Sequence, residues 1–265
     1  MVQEWQPLDV LITARTYPIP AQKGVEVSCT GGITKDGRWI RLFPVPYRFL
    51  DNDKRFRKYQ WINLRVKKAT DARPESHYPD LDSIRIVTDP LPTKDFWQAR
   101  KDILAPLLSP SLCRLQAERD ANKVPTLGFF KPGSITRLKI EQDNREWTEA
   151  QKSRLQQTSF FGTAPVQELE KIPYVFKYQF TCNDPACRGH EMSCTDWEMG
   201  QSYRSWRTKY PTNWEEKFRQ KFEDEMINRY DTHFFVGTVH QHPNAWIIIG
   251  LFYPLKAPPT QLTLV

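Results

Sequence analysis

The chain has 265 residues, of which 39% are hydrophobic and 26% charged, a globular balance that excludes a disordered polyelectrolyte. Its formal charge of +7 favours polyanionic partners, and 21 prolines against 11 glycines suit short strands and stiff loops better than a helical bundle. The longest apolar stretch, from Ala245 to Leu255, is too short for a membrane span and contains Gly250 and Pro254.

Strand patterns dominate the first third: Asp9–Thr13, Val25–Ile33, Trp39–Phe43, Gln60–Val66 and Ser83–Val87. The Lys35-Asp36-Gly37-Arg38 turn makes a hairpin of the second and third. Two helices follow. Thr93 is placed to cap Lys94–Leu104, and Ser109-Pro110 to start a second helix running to about Asn122. Strand signal returns at Leu127–Phe130 and Ile135–Ile140, before a polar stretch, Glu141–Thr158. Tyr174–Phe180 alternates as a strand does. Thr212-x-x-Glu215 resembles a capping box leading a helix to about Tyr230, with Trp214, Phe218, Phe222, Met226 and Tyr230 on one stripe. Phe234–Val239 and Trp246–Phe252 form two last strands, joined through His240-Gln241-His242-Pro243-Asn244. No internal repeat is visible. The expected division is a basic β-rich domain over residues 1–155 and an α+β domain over 156–265.

Between Lys35 and Lys68 stand eleven basic residues against three acidic ones, interleaved with aromatic rings. Cations neutralise phosphates and release counterions, and exposed rings stack on unpaired bases. Arg38, Trp39, Arg41, Tyr47, Arg48, Arg55, Arg57 and Lys58 are therefore the expected nucleic-acid contacts. Core packing of the rings and ordinary surface charge are the competing explanation.

Cys182, Cys187, His190 and Cys194 fall as C-x4-C-x2-H-x3-C, three of the chain's five cysteines in one segment. Zinc takes four such ligands in a tetrahedron, and Asn183-Asp184-Pro185 and Arg188-Gly189 supply the bends. His233, His240 and His242 are the alternatives to Cys194. An odd cysteine count and no signal peptide point to reduced thiols in a cytoplasm. On a strand, Asp196 and Glu198 would face the same way, able to hold magnesium or, beside His190, to activate water. Asp71, Arg73 and Glu75 form a second polar group before His77.

Ile12-Thr13-Ala14-Arg15, Cys29-Thr30-Gly31-Gly32 and Asp36-Gly37-Arg38-Trp39-Ile40-Arg41 resemble the opening of the dual OB-like family of bacteria and archaea. The resemblance covers about forty residues, and Leu42-Phe43-Pro44 departs from its pattern. It implies OB-type barrels, a fold often used for oligonucleotides, and a role in bacterial genome defence or nucleic-acid processing. The fold expected is α+β, mostly antiparallel, with one or two small OB-like barrels and peripheral helices. The function expected is nucleic-acid binding (single-stranded or structured DNA or RNA) with a structural zinc turn and no membrane partner. The alternatives are a nuclease or base-modifying hydrolase working through His190, Asp196 and Glu198, or an interaction module for an acidic protein.

Overall fold

The computed structural model describes residues 4–21, 26–156, 168–240 and 242–258. Val25, Gln157, Thr158 and Gln241, which the expected segments include, lie outside the described residues. The chain is α+β, with two mostly antiparallel sheets of seven strands each. No helix among the described residues is long and apolar enough to cross a membrane.

The first sheet holds β1 (Gln6–Arg15), β2 (Ile19–Pro20), β3 (Glu26–Thr34), β4 (Trp39–Val45), β5 (Trp61–Lys68), β6 (Ser76–Pro79) and β7 (Arg85–Ile86). Five of these close a barrel in the order β1-β3-β4-β6-β5-β1, with only β4 and β6 parallel. Closure depends on the length of β1. Its first half, Gln6 to Leu11, pairs with β5, and its second, Val10 to Arg15, pairs with β3. A register shift between Ile12 and Ala14 bends the strand. The Asp-Gly turn behaves as expected: Gly37 takes φ 77°, a left-handed value that costs glycine nothing, and β3 pairs with β4 across it. Val10, Ile12, Ile40, Leu42, Ile62 and Leu64 fill the barrel.

A connection carrying α1 (Lys94–Leu104) leads to the second sheet. There follow β8 (Leu108–Ser109), α2 (Leu112–Asn122), β9 (Leu127–Phe130), β10 (Ser134–Gln142), α3 (Glu149–Gln156), β11 (Tyr174–Thr181) and β12 (His190–Cys194). After these come α4 (Trp197–Lys209), α5 (Trp214–Arg219), α6 (Glu225–Asn228), β13 (His233–Thr238) and β14 (Trp246–Phe252). The strand order is β10-β11-β12-β14-β13-β9-β8, with β12 and β14 parallel. Taken as one strand interrupted at 131–133, β9 and β10 do what β1 does. The first part pairs with β13 and the second with β11. Both halves of the chain thus share one strand order despite having no visible sequence repeat. Position 155 falls inside the second sheet, because β10 and β11 on either side of it pair along their length.

Local signals resolve unevenly. Ser111 caps α2 through a bond from the Arg114 N–H, so that helix begins after Pro110 rather than at it. Thr93 makes no side-chain cap bond, nor does Asn213 at the start of α5, and the capping box expected at Thr212 does not form. Phe218, Phe222 and Met226 are buried as their stripe requires. A strict spacing of four drifts about 40° per step around an α-helix, and a π turn at Gln220–Asp224 absorbs the drift.

The barrels share a core. Ala14, Ile33 and Tyr59 of the first pack with Leu127, Phe129, Phe235, Ile249 and Phe252 of the second. A side chain at Gly250 would meet the Ala14 Cβ at 2.7 Å, so a glycine is needed there. The polar group before His77 clasps the two barrels. Glu75 accepts from the Thr126 N–H (2.9 Å) and hydroxyl, and Arg73 donates to the Thr238 carbonyl at 2.8 Å while held by Asp71.

Glu26, 2% exposed, faces Arg48 at 3.3 Å. Burial raises its carboxyl to about 7 from 4.5, against the opposing pull of Arg48 and Arg204. The folded chain therefore holds this proton more tightly than the unfolded one. Its contribution is fully present below pH about 4.5 and lost as pH rises through about 7, at about 1.4 kcal/mol per pH unit and about 3 kcal/mol in all. Urea midpoints of wild type and Glu26→Gln between pH 4 and 8 measure it. The wild-type advantage is expected to shrink steadily across that interval, and a difference independent of pH would exclude the effect.

Candidate metal centre and inter-barrel cleft

Four ligand atoms converge where α2 meets the β11–β12 turn. The sulfurs of Cys113, Cys182 and Cys187 and a ring nitrogen of His190 all lie within 4.8 Å of one another. The His190 Nε2 stands 3.2 Å from Cys113 Sγ, 3.5 Å from Cys182 Sγ and 3.4 Å from Cys187 Sγ. Two backbone N–H groups, of Cys182 (3.3 Å) and Gly189 (3.4 Å), donate to the Cys187 sulfur. Gly189 takes φ 89°, the left-handed conformation that lets the chain turn back on Cys187. His190 stacks on Phe180, with centroids 5.2 Å apart, which fixes its ring.

The electrostatics favour a cation. Burial, together with the neighbouring thiols Cys187 and Cys182, pushes Cys113 up to about 12. The backbone donors hold Cys187 below its ordinary value. Burial lowers His190, keeping its imidazole neutral and able to ligate. The four ligand atoms can hold a metal ion.

The sequence placed three of these ligands and misplaced the fourth. Cys194 is buried at the far end of β12 and paired with Ile248, away from the cluster. Four residue steps of strand separate it from His190, about 13 Å at about 3.3 Å per step. Cys113 takes that position, not His233, His240 or His242.

The acids expected to do chemistry are occupied otherwise. Asp196 is not on a strand with Glu198; it is the N-cap of α4. Its Oδ1 accepts from the Glu198 and Met199 N–H groups, and its Oδ2 from the Leu251 N–H and Lys58 Nζ. Glu198 joins Lys58 at 3.4 Å. Burial draws the Lys58 ammonium down, but Asp196 and Glu198 outweigh it and raise its pKa. Burial pushes Asp196 up, opposed by Lys58. His190 belongs to the cysteine cluster instead.

The basic and aromatic residues of the first barrel do not form one open face. Trp39 packs edge-on against Phe235 of the second barrel. Arg41 is 2% exposed and donates to Ser76 Oγ, Thr126 Oγ1 and the Thr126 carbonyl. The Tyr47 hydroxyl donates to the Phe56 carbonyl, and Arg48 meets Glu26. Arg55 binds the Leu50 and Arg48 carbonyls, leaving its residue exposed, as Arg57 is. Arg38 is exposed in a surface pair with Asp36. The face carrying Trp39 and Arg41 is an interface between barrels.

Two depressions stand out among the described residues. A groove of about 620 Å³ on the first barrel is lined by Arg38, Trp39, Lys67, Lys68 and His77 among others. Lys67 lies 4.9 Å over the exposed Trp5 ring. A cleft of about 500 Å³ opens between the barrels, with walls from Arg15, Lys58, Tyr59, Trp97, Trp197 and Tyr253 among others. Arg15 lies 3.4 Å over the Tyr47 ring and 4.3 Å over Trp197. Arg100 sits 4.1 Å over Tyr59 and 4.5 Å over Trp97. Sequence reasoning missed Arg15, Trp97, Arg100 and Trp197, because their elements meet only in the folded chain.

Fold and site together define a two-barrel α+β protein with a cysteine–histidine cluster that can hold a metal. The chain belongs to the family described as Domain of unknown function (DUF8757), whose model matches residues 108–264. Residues 6–106 match Domain of unknown function (DUF8758). The two matches meet where the two sheets do. No curated protein matches the chain.

Proposed function

We propose that the chain binds nucleic acid, single-stranded or structured, on two OB-like barrels, and that a zinc ion at Cys113, Cys182, Cys187 and His190 ties α2 to the second barrel. The observation carrying the nucleic-acid reading is the groove rimmed by Arg38, Lys67 and Lys68 with the Trp5 ring beside it. The Arg38–Asp36 pair is exposed, and such pairs contribute only about 0–1 kcal/mol, so a phosphate can displace the carboxylate. An order in which the long first strand pairs with both the second and the fourth, and the third runs parallel to the fifth, supports the OB-like assignment. Such barrels serve many ligands, and the charged groove is what favours this one.

Zinc suits the ligand chemistry. Bonds of about 2.3 Å to sulfur and about 2.0–2.1 Å to nitrogen give tetrahedral N···S edges of about 3.6 Å and S···S edges of about 3.8 Å. The nitrogen–sulfur separations of 3.2, 3.4 and 3.5 Å, and 3.9 Å between Cys113 and Cys182, are close to those edges. Four protein ligands make a closed, structural site rather than a catalytic one. Both Asp196 oxygens already accept hydrogen bonds, which favours a binder over a hydrolase.

Single-stranded and duplex probes titrated over a salt series test the binding. Affinity is expected to fall steeply with salt, and Arg38→Glu with Lys67→Glu to weaken it at least tenfold and lower the salt slope by about 2. An unchanged slope in the double variant removes the groove, and salt-insensitive binding removes the function.

A further inference from the structure

The cleft between the barrels is built as a binding site. Tyr59 is 3% exposed, forms part of its wall, and its hydroxyl has no hydrogen-bond partner among the described residues. Arg15, 8% exposed on the same wall, leaves its Nε likewise unpartnered. Buried polar groups are nearly always satisfied, so two orphans on residues that line one cavity point to a ligand that completes them. Both lie on the first barrel.

Backbone strain marks the same place. Tyr59 holds φ 63°, and Asp95, Phe96 and Trp97 form a left-handed turn with φ 53°, 53° and 64°. Bulky residues adopt this conformation only where the surroundings force it, and such positions gather at ligand clamps. The turn delivers the Trp97 ring to the cleft wall.

The lining specifies the chemistry. Lys58 is balanced by Asp196, so Arg15, Arg57 and Arg100 against Glu198 leave an excess of positive charge that attracts an anion. Half-buried rings of Trp97, Trp197 and Tyr253 offer flat apolar surface. Glu198, whose carboxylate is 44% exposed, can accept from a hydroxyl or amine. Nucleotides combine a flat ring, an anionic group and hydroxyl donors. We infer that the inter-barrel cleft binds a nucleoside monophosphate unit, with its phosphate toward Arg15 and Arg57 and its base against the tryptophans. The choice of a nucleotide rests on the nucleic-acid reading above. The unit is either a free nucleotide or the phosphorylated end of a strand. A cavity of about 500 Å³ lies within the usual range for such ligands.

Calorimetry and tryptophan fluorescence with AMP, adenosine and inorganic phosphate provide the test. AMP is expected to bind and to quench fluorescence, with adenosine and phosphate each at least tenfold weaker. Tyr59→Phe removes only an unsatisfied hydroxyl, so it should fold with unchanged or higher Tm yet bind AMP at least fivefold more weakly. Arg57→Gln, at an exposed position, should weaken AMP about tenfold. In the Arg38→Glu, Lys67→Glu variant, a tetranucleotide with a 5′-phosphate binding better than AMP assigns the site to strand ends; AMP binding better assigns it to free nucleotide. Either result supports the site. Phosphate matching AMP, or Tyr59→Phe binding AMP as wild type does, overturns it. Arg38→Glu with Lys67→Glu separates the two readings, since it should leave AMP affinity intact. Strand binding without AMP binding overturns the cleft and leaves the groove. AMP binding without strand binding does the reverse.

Discussion

Stripping the metal from the purified chain with a strong chelator is expected to lower its Tm by roughly 10 °C. The cluster joins α2, which carries Cys113, to the β11–β12 turn, which carries Cys182, Cys187 and His190. Metal bound to the folded state alone stabilises it by RT ln(1 + [L]/Kd), about 4 kcal/mol at a thousandfold excess over Kd. For a chain of this size each kcal/mol moves Tm by about 2–4 °C. Without the ion, three sulfurs stay crowded around one imidazole, with Cys113 pressed upward by burial and by the other thiols. Elemental analysis should find one zinc per chain. Cys113→Ser should lose it and reproduce the loss of Tm, whereas Cys194→Ala should keep it, because Cys194 is a buried core residue. A metal-free protein whose Tm ignores chelator, or zinc retained in Cys113→Ser and lost in Cys194→Ala, would remove the assignment.

Those two cysteines show where sequence stops being informative. Cys182, Cys187 and His190 are legible because one turn carries them, so spacing reports proximity. Cys113 stands 69 positions from Cys182 on a helix, and only the packing of α2 against β11 and β12 brings it in. The same limit governs the basic segment. Trp39 and Arg41 alternate on β4 as a buried face should, but the pattern does not reveal that a second barrel covers that face. The alternating β11 and the apolar runs of β9 and β14 are read almost to the residue. β2 has two residues, and β6 and β12 mix polar residues with few apolar ones, so no apolar pattern marks them. Asp196 was misread for a related reason. Asp-x-Glu serves equally as one face of a strand and as an N-cap followed by a first-turn acid, and the helical spacing of α4 lies downstream. The common strand order of the two halves has no counterpart in residue identity, since register and closure are set by burial pattern rather than by particular side chains.

Asp196→Ala is expected to cost about 4 kcal/mol of stability, more than a single substitution of any charged residue lining the cleft. Its carboxylate carries three tasks at once: it caps α4, it accepts from the Leu251 N–H on β14, and it neutralises Lys58 from the first barrel. Losing an N-cap costs about 0.5–2 kcal/mol. Leaving a buried partner uncompensated costs about 3–5 kcal/mol, and the Lys58 side chain is only 9% exposed. Glu198 at 3.4 Å and the Leu251 carbonyl at 3.4 Å relieve part of that charge, which holds the sum below the simple total. Lys58→Met alone should cost less, because three of the four donors to the Asp196 carboxylate are backbone N–H groups that still bind it. Combining Lys58→Met with Asp196→Asn removes both charges while keeping a capping oxygen, and should recover more than half of the loss, since a buried pair replaced as a pair is often close to neutral. Urea unfolding of these three variants and of Asp196→Asn alone closes the cycle. If Asp196→Ala costs under about 1 kcal/mol, or the double variant is no more stable than Asp196→Ala, the ion pair is not what ties the barrels at this point, and the shared core of Ala14, Phe235, Ile249 and Phe252 holds them unaided.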